Sequence, residues 1–197
     1  MAATDEYEIG RIKTIIGMAV GFTAMLRVFE KGSDERIEDM IERFLERLRG
    51  VDSPIQFDAL HDEFCQDFTK TIRLSKTKEG QSPNASYGHA AKVLDVALKA
   101  CVDYCKLPDA ATSQRVKAFL HAGIDTPILK YLKRKERLEI TASSVRDIDR
   151  QGYKLLQAAV AREMKSEFGD SVLPVTWDNI MWRRLNRRDT ATGPPGA

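Results

Sequence analysis

The sequence has no long hydrophobic run, few cysteines and no surplus of charge of one sign. Its 197 residues include three Cys, and 31 Lys and Arg face 29 Asp and Glu. So few cysteines exclude a disulfide scaffold, and the near balance of charge argues against a wholly basic nucleic-acid coat or an acidic disordered chain. With 43% hydrophobic and 30% charged residues, the composition is that of one globular domain of ordinary size.

The only candidate for a membrane or export segment is the uncharged stretch of 13 residues between Lys13 and Arg27. A helix that spans a bilayer needs about 20 apolar residues, so this stretch is too short. A signal peptide would begin with a basic region, whereas Asp5, Glu6 and Glu8 precede this stretch. We therefore expect a cytoplasmic protein that has no membrane partner.

Common enzyme motifs are also missing. The sequence has no Walker loop, no Gly-x-Gly-x-x-Gly after a strand, no His-Glu-x-x-His and no Gly-x-Ser-x-Gly. Because the nucleotide-binding motifs accompany a β-sheet, and no sheet is predicted here, nucleotide-dependent enzymes are disfavoured. We expect no cofactor.

Histidine and cysteine nevertheless occur in pairs four residues apart. His61 with Cys65, and Cys101 with Cys105, would each lie on one face of a helix, and two such helices could supply a tetrahedral Cys3His zinc site. All three cysteines also fall on stripes predicted to be core, where a free cysteine behaves as a small hydrophobic residue. We favour the core role and predict no metal site.

Hydrophobic residues recur at helical spacing along most of the chain, and no internal repeat or linker divides it. This pattern predicts an all-α, single-domain bundle of seven or eight helices over residues 1–188, followed by a disordered tail at 189–197. The predicted helices cover about 6–29, 33–50, 54–72, 86–107, 112–121, 126–137 and 144–168, with a last short helix from about 176.

Two of these helices are predicted to lie deep in the bundle. In the helix at about 86–107 the polar residues fall three or four positions apart, which predicts a near-fully buried central helix with one narrow solvent-exposed strip. That strip consists of Lys92, Asp95, Lys99, Asp103 and Lys106. The first helix is apolar almost all round in its second half, which is typical of a buried helix. Gly17 and Gly21 would let another helix approach it, either inside the bundle or at a dimer seam.

Charge is distributed unevenly along the chain. Residues 1–70 carry a net charge of −6, residues 71–138 carry +7 and residues 139–197 carry +1. Two basic clusters stand out, and each contains an aromatic residue, Tyr131 or Trp182. They are either a solvated surface paired with the acidic N-terminal third, or a surface for an anionic partner such as a phosphate backbone. Their basic residues are Lys130, Lys133, Arg134, Lys135, Arg137, Arg183, Arg184, Arg187 and Arg188.

Arg115 and His121 lie on one predicted helix with five residues between them. This pair resembles the Arg-x4–6-His signature of HEPN-domain ribonucleases, small helical proteins in which paired motifs across a dimer cleave RNA without metal. The resemblance implies that His121 is a general acid and base and that Arg115 stabilises the charged phosphate. It covers seven positions, and Val116 stands where the family has a polar residue. The structural alternative is an exposed Arg115 and a His121 at the end of its helix.

Taken together, these features favour a helical interaction module that binds nucleic acid or another anionic partner through the basic clusters. A protein partner or a second copy of the chain is compatible with the same features. The alternative from a different class is a metal-independent ribonuclease that uses Arg115 and His121.

Overall fold

The computed structural model describes residues 3–76 and 80–186, and these ranges contain eight α-helices and no β-strand beyond two isolated bridges. The predicted all-α bundle of seven or eight helices is confirmed. The helices are α1 (Ala3–Phe22), α2 (Ser33–Arg47), α3 (Pro54–Thr71), α4 (Tyr87–Leu98), α5 (Ala110–Val116), α6 (Thr126–Lys135), α7 (Arg150–Phe168) and α8 (Pro174–Asn186). Arg187, Arg188 and the tail predicted at 189–197 lie outside the described residues.

Helix starts follow the local signals of the sequence. The side chain of Ser53 caps α3 by accepting from the backbone N–H of Gln56, and Pro54 occupies the first turn. Asp125 caps α6 in the same way, and its carboxylate accepts from the N–H of Ile128 at 2.9 Å. Such caps satisfy backbone donors that have no partner inside the helix.

Helix α4 lies at the centre of the bundle, where it contacts α1, α3 and α7. It continues as one π-helical stretch, Lys99–Tyr104, so that the predicted central helix is nearly continuous. The prediction of a solvent-exposed strip is wrong at one position, because Asp95 is only 2% exposed. Lys92 and Lys99 are half-buried and Lys106 is exposed. The periodicity could not show that Asp95 finds hydrogen-bonding partners inside the core.

Helix α1 differs most from its prediction. It ends at Phe22 rather than near residue 29, and it packs on α2, on α4 and on the π-helical stretch that follows α4. Met18 and Phe22 are 53% and 71% exposed, so the helix is not wrapped by its neighbours. A side chain at Gly17 would meet Glu38 of α2 at 3.2 Å, which places this glycine in internal packing.

All eight helices contribute buried side chains to one hydrophobic cluster. Within the described ranges, no helix combines the length and hydropathy needed to cross a bilayer. The first turn of α4 is fixed at Gly88, whose N–H donates to the carbonyl of Ile148 at 3.0 Å.

We predict that Gly88→Ala destabilises the protein by about 3 kcal/mol, because the added Cβ would lie 2.1 Å from the carbonyl oxygen of Val145 and force the backbone apart. Gly10→Ala in α1 is the matched control, since nothing lies within 4 Å of its Cβ. The control should gain about 0.5–1 kcal/mol from helix propensity. Urea unfolding of both variants measures the difference, and equal stabilities would contradict this packing.

Candidate functional site

A cluster of four polar side chains lies inside the bundle. His61 comes from α3, Asp95 from α4 and Tyr153 from α7, and these three are 1%, 2% and 3% exposed. The fourth, His121, follows the 3-10 turn Lys117–Phe119 and precedes α6. His61 lies on the buried stripe of α3, one turn after Phe57 and one turn before Cys65, so the helical spacing that builds the core also carries this imidazole inward.

The hydroxyl of Tyr153 lies at the middle of the cluster. It donates to Asp95 Oδ2 at 2.7 Å, and it lies 3.2 Å from His61 Nε2 and 3.0 Å from His121 Nδ1. His61 Nε2 is also 2.9 Å from Asp95 Oδ1. The buried carboxylate of Asp95 therefore has a partner at each oxygen, as a charge inside a protein requires.

His121 joins this cluster to the surface. Its Nε2 lies 2.9 Å from Asp58 Oδ1, and the side chains of His121 and Asp58 are 18% and 63% exposed. The hydrogen bond from His121 lowers the pKa of the Asp58 carboxyl. The pair consequently places an oriented imidazole, backed by a carboxylate, between solvent and the buried Asp95.

The segment that carries His121 is irregular, but side chains from two helices hold it in place. The amide of Gln157 on α7 bonds both the N–H and the C=O of Ala122, at 3.2 and 2.8 Å. The N–H of Gly123 donates to Asp178 Oδ2 at 2.9 Å, and Lys99 Nζ lies 2.6 Å from the other oxygen of Asp178. These bonds hold the backbone next to His121 and so help to position its imidazole.

Burial determines which groups of the site keep their protons. It raises the pKa of Tyr153 well above its ordinary value, and the nearby Asp95 carboxylate adds to the effect, so Tyr153 donates a hydrogen bond as a neutral phenol. Burial likewise raises the pKa of the Cys65 thiol. Cys65 lies 3.7 Å from His61 Nδ1 and is a thiol there, which does not suit a nucleophile.

A cavity of about 540 Å³ opens beside the cluster. His121 and Tyr153 reach it from the core, and Asp58, Arg150 and Lys154 line its walls. Arg150 forms a bidentate ion pair with Asp62, in which Nε and Nη2 donate to the two carboxylate oxygens at 2.6 and 2.7 Å. The cavity gives a small molecule or ion access to His121.

No family of proteins, curated protein or solved structure matches this chain.

The two residues of the ribonuclease-like pair lie in different surroundings. Arg115 donates to the carbonyls of Arg49 and Val51 at 2.8 and 2.9 Å, where it closes the turn after α2. His121 is not on the same helix, since α5 ends at Val116, and this part of the sequence-based expectation is wrong. Within the described ranges, no hydrogen bond or ion pair joins the two side chains.

The structure brings together side chains that could hold a metal ion, and of the four zinc ligands considered from the sequence only His61 is among them. In the described part of the chain, one group of His, Cys, Asp or Glu brings ligand atoms together, namely His61, Asp95 and His121, whose atoms lie within 4.8 Å of one another. No cysteine belongs to it, and burial raises the pKa of Cys101 to about 12. The available signal was a polar residue on each of two core stripes, His61 and Asp95.

The two helices that carry most of the basic residues, α6 and α8, pack on each other. Some of their cations have structural partners: Lys133 Nζ donates to the carbonyl of Ala142 at 2.7 Å, and Arg184 pairs with Glu167 on α7. Lys135 Nζ is 3.9 Å from Glu163. The other basic residues of these two helices and of the residues just after α6 are exposed, and no described carboxylate forms an ion pair with them. They are Lys130, Arg134, Arg137 and Arg183.

We predict that Tyr153→Phe lowers the free energy of unfolding by about 1–3 kcal/mol, because the loss of the hydroxyl leaves the buried Asp95 Oδ2 without its donor. Tyr104→Phe is the matched control. It removes an equal atom from a side chain that is 59% exposed, and the change should stay within about 0.5 kcal/mol. Chemical denaturation measures the free energy of unfolding of both variants. A Tyr153→Phe protein as stable as the control would show that the cluster does not stabilise the core.

Proposed function

We propose that this protein is a helical interaction module that binds nucleic acid through a basic face formed by α6 and α8. The observation that carries the proposal is the contact between these two helices. It supports one surface built from cations that lie nearly 50 residues apart in the sequence. The basic face consists of Lys130, Arg134, Lys135, Arg137, Arg183 and Arg184.

The ion pairs of the region favour a surface that is open to a partner. The acidic N-terminal third would neutralise the basic face if the two were in contact. Instead, the described ion pairs made by the basic residues of α6 and α8 reach only Glu163 and Glu167 of α7, and none reaches α2. Lys130 and Arg134, four residues apart and both exposed, share one side of α6. A phosphate backbone could bind Lys130 and Arg134 without displacing an intramolecular partner.

One aromatic side chain suits this function and another does not. Trp182 on α8 is 56% exposed and offers a flat surface on which a base can stack. Tyr131 is engaged with Glu163 through its hydroxyl, and burial together with this hydrogen bond raises its pKa to about 12. We therefore assign base stacking to Trp182. Tyr131 instead contributes to the packing of α6 on α7.

We predict that Lys130→Glu with Arg134→Glu lowers affinity for single-stranded RNA and DNA about tenfold or more, by a similar factor for every sequence. The slope of log affinity against log salt should fall by about 2, since each lost phosphate contact removes about 1. The test is fluorescence anisotropy at several salt concentrations. Lys133 is left intact because it supports the Ala142 carbonyl.

The control for this experiment is Arg36→Glu with Arg43→Glu on α2, which makes the same change in net charge at two exposed positions. Its affinity should drop only slightly, through the long-range field. Equal losses in the two double variants would assign binding to net charge rather than to the basic face. A wild-type protein that binds neither nucleic acid at low salt would refute the proposal.

The second candidate is a metal-independent ribonuclease centred on His121. The observation that favours it is the His121–Asp58 pair at the cavity, an arrangement in which an imidazole can take a proton from a 2′-hydroxyl. The 2′-oxygen then bonds to phosphorus, the bond from phosphorus to the 5′-oxygen breaks, and the leaving 5′-oxygen takes up the proton that His121 received from the 2′-hydroxyl. Because Arg115 is held by backbone carbonyls, we assign the phosphate-stabilising charge to Lys154 in the cavity wall.

This candidate predicts cleavage of single-stranded or structured RNA in the presence of EDTA. His121→Ala should abolish the cleavage, and Asp58→Asn should reduce it and shift its pH profile, because Asp58 orients the imidazole. Arg115→Lys should leave the rate unchanged. Binding of RNA without cleavage would favour the module, and cleavage that survives His121→Ala would exclude this site.

A further inference from the structure

We infer that His61, Asp95 and His121 form a binding site for one divalent transition-metal ion, with Zn²⁺ as the ion that suits the ligands best. The inference is independent of the basic face. It is an alternative to the ribonuclease chemistry, because a nitrogen that holds a metal cannot also transfer a proton in the reaction.

The positions of the ligand atoms support the inference. Bonds of about 2.0–2.2 Å to a tetrahedral or octahedral ion place neighbouring ligand atoms roughly 2.9–3.5 Å apart. His61 Nε2 and Asp95 Oδ1 are 2.9 Å apart, and all three ligand groups lie within 4.8 Å of one another. Both imidazoles also approach the same Tyr153 hydroxyl, at 3.2 and 3.0 Å. The set therefore needs only small side-chain adjustments to surround an ion.

Each imidazole is held by the nitrogen that faces away from the cluster. His121 Nε2 lies 2.9 Å from Asp58 Oδ1, and His61 Nδ1 lies 3.7 Å from the Cys65 sulfur. A carboxylate on the far nitrogen is the usual support of a metal-binding histidine, because it fixes the tautomer and turns the lone pair of the other nitrogen inward. For His121 this leaves Nδ1 directed into the cluster.

The proton count leaves room for one more cation. Tyr153 has a single hydroxyl proton, which goes to Asp95 Oδ2 at 2.7 Å. If the N–H at His121 Nε2 donates a hydrogen bond to Asp58, no hydrogen is left to bridge His121 Nδ1 and the Tyr153 oxygen, which lie 3.0 Å apart. A metal ion at this place would complete the set, and two imidazoles with one carboxylate are typical ligands of a metal.

The ligand types and the access route narrow the choice of ion. Imidazole nitrogen suits Zn²⁺, Fe²⁺ or Co²⁺, whereas Mg²⁺ and Ca²⁺ prefer ligands that are all oxygen. Three protein ligands leave at least one coordination position free. The cavity of about 540 Å³ reaches the cluster at His121 and Tyr153, so an ion can enter and a water molecule or substrate atom can take that position.

The experiment is a titration of chelator-treated full-length protein with Co²⁺, read from its visible absorption bands, followed by displacement with Zn²⁺. We expect one ion per chain. His121→Gln and Asp95→Asn should each weaken binding at least tenfold, and Zn²⁺ should raise the melting temperature of the wild-type protein but not of these variants.

The matched control uses the third histidine of the chain. His89 belongs to the cap of α4, where its Nδ1 accepts from the backbone N–H of Ser86 at 3.2 Å. Because Gln at this position preserves the capping box, His89→Gln removes a histidine without disturbing the helix start. Its affinity for Co²⁺ should equal that of the wild type.

One further variant keeps the test decisive if changes inside the core prevent folding. Asp58 is 63% exposed and would not touch the ion, so Asp58→Asn should fold and still weaken binding about tenfold to a hundredfold. A wild-type protein that takes up no Co²⁺ or Zn²⁺ in a one-to-one ratio would overturn the inference. Binding that is unchanged in both Asp58→Asn and His121→Gln would overturn it as well, since the ion would then lie elsewhere.

Discussion

The buried carboxylate of Asp95 is the constraint on which the arrangement of the helices around the site depends. A charge in the core without partners would cost several kcal/mol, and here it is compensated by side chains from separate elements. His61 on α3 meets one oxygen and Tyr153 on α7 meets the other. Because hydrogen bonds tolerate little displacement, the two contacts fix both helices against α4, which the apolar packing alone would leave freer to slide.

The same constraint extends to the segment between α5 and α6. His121 reaches the cluster through Tyr153, and two positions further on the N–H of Gly123 is held by Asp178 on α8. Burial raises the pKa of Asp178, and its pairing with Lys99 opposes that effect. Two buried acids therefore hold one short irregular segment, and α6 with its basic residues starts at the end of it. The segment that carries His121 to the cavity therefore also leads into α6, which carries part of the basic face.

The sequence predicted some of this site and missed the rest for identifiable reasons. His121 could be singled out because a known signature draws attention to it, but the same signature pointed to Arg115, which closes a turn. The spacing of Asp95 from Lys92 and Lys99 predicts a solvent-exposed strip, whereas Asp95 is buried. Helical periodicity reports which residues share a face and does not tell whether a carboxylate on that face meets water or a histidine. The sequence-based prediction for α1 is wrong for the related reason that an apolar surface can remain uncovered.

The number and approximate position of the helices were determined by the sequence itself, because caps such as Ser53 and Asp125 and the spacing of apolar residues act over a few neighbouring positions. The meeting of His61, Asp95, His121 and Tyr153 was decided only by the tertiary structure. These residues belong to segments far apart in the chain, and their distances depend on how four separate elements pack. No local pattern contains that information, since the residue that compensates a buried charge is chosen by the packing of the helices and not by its place in the sequence.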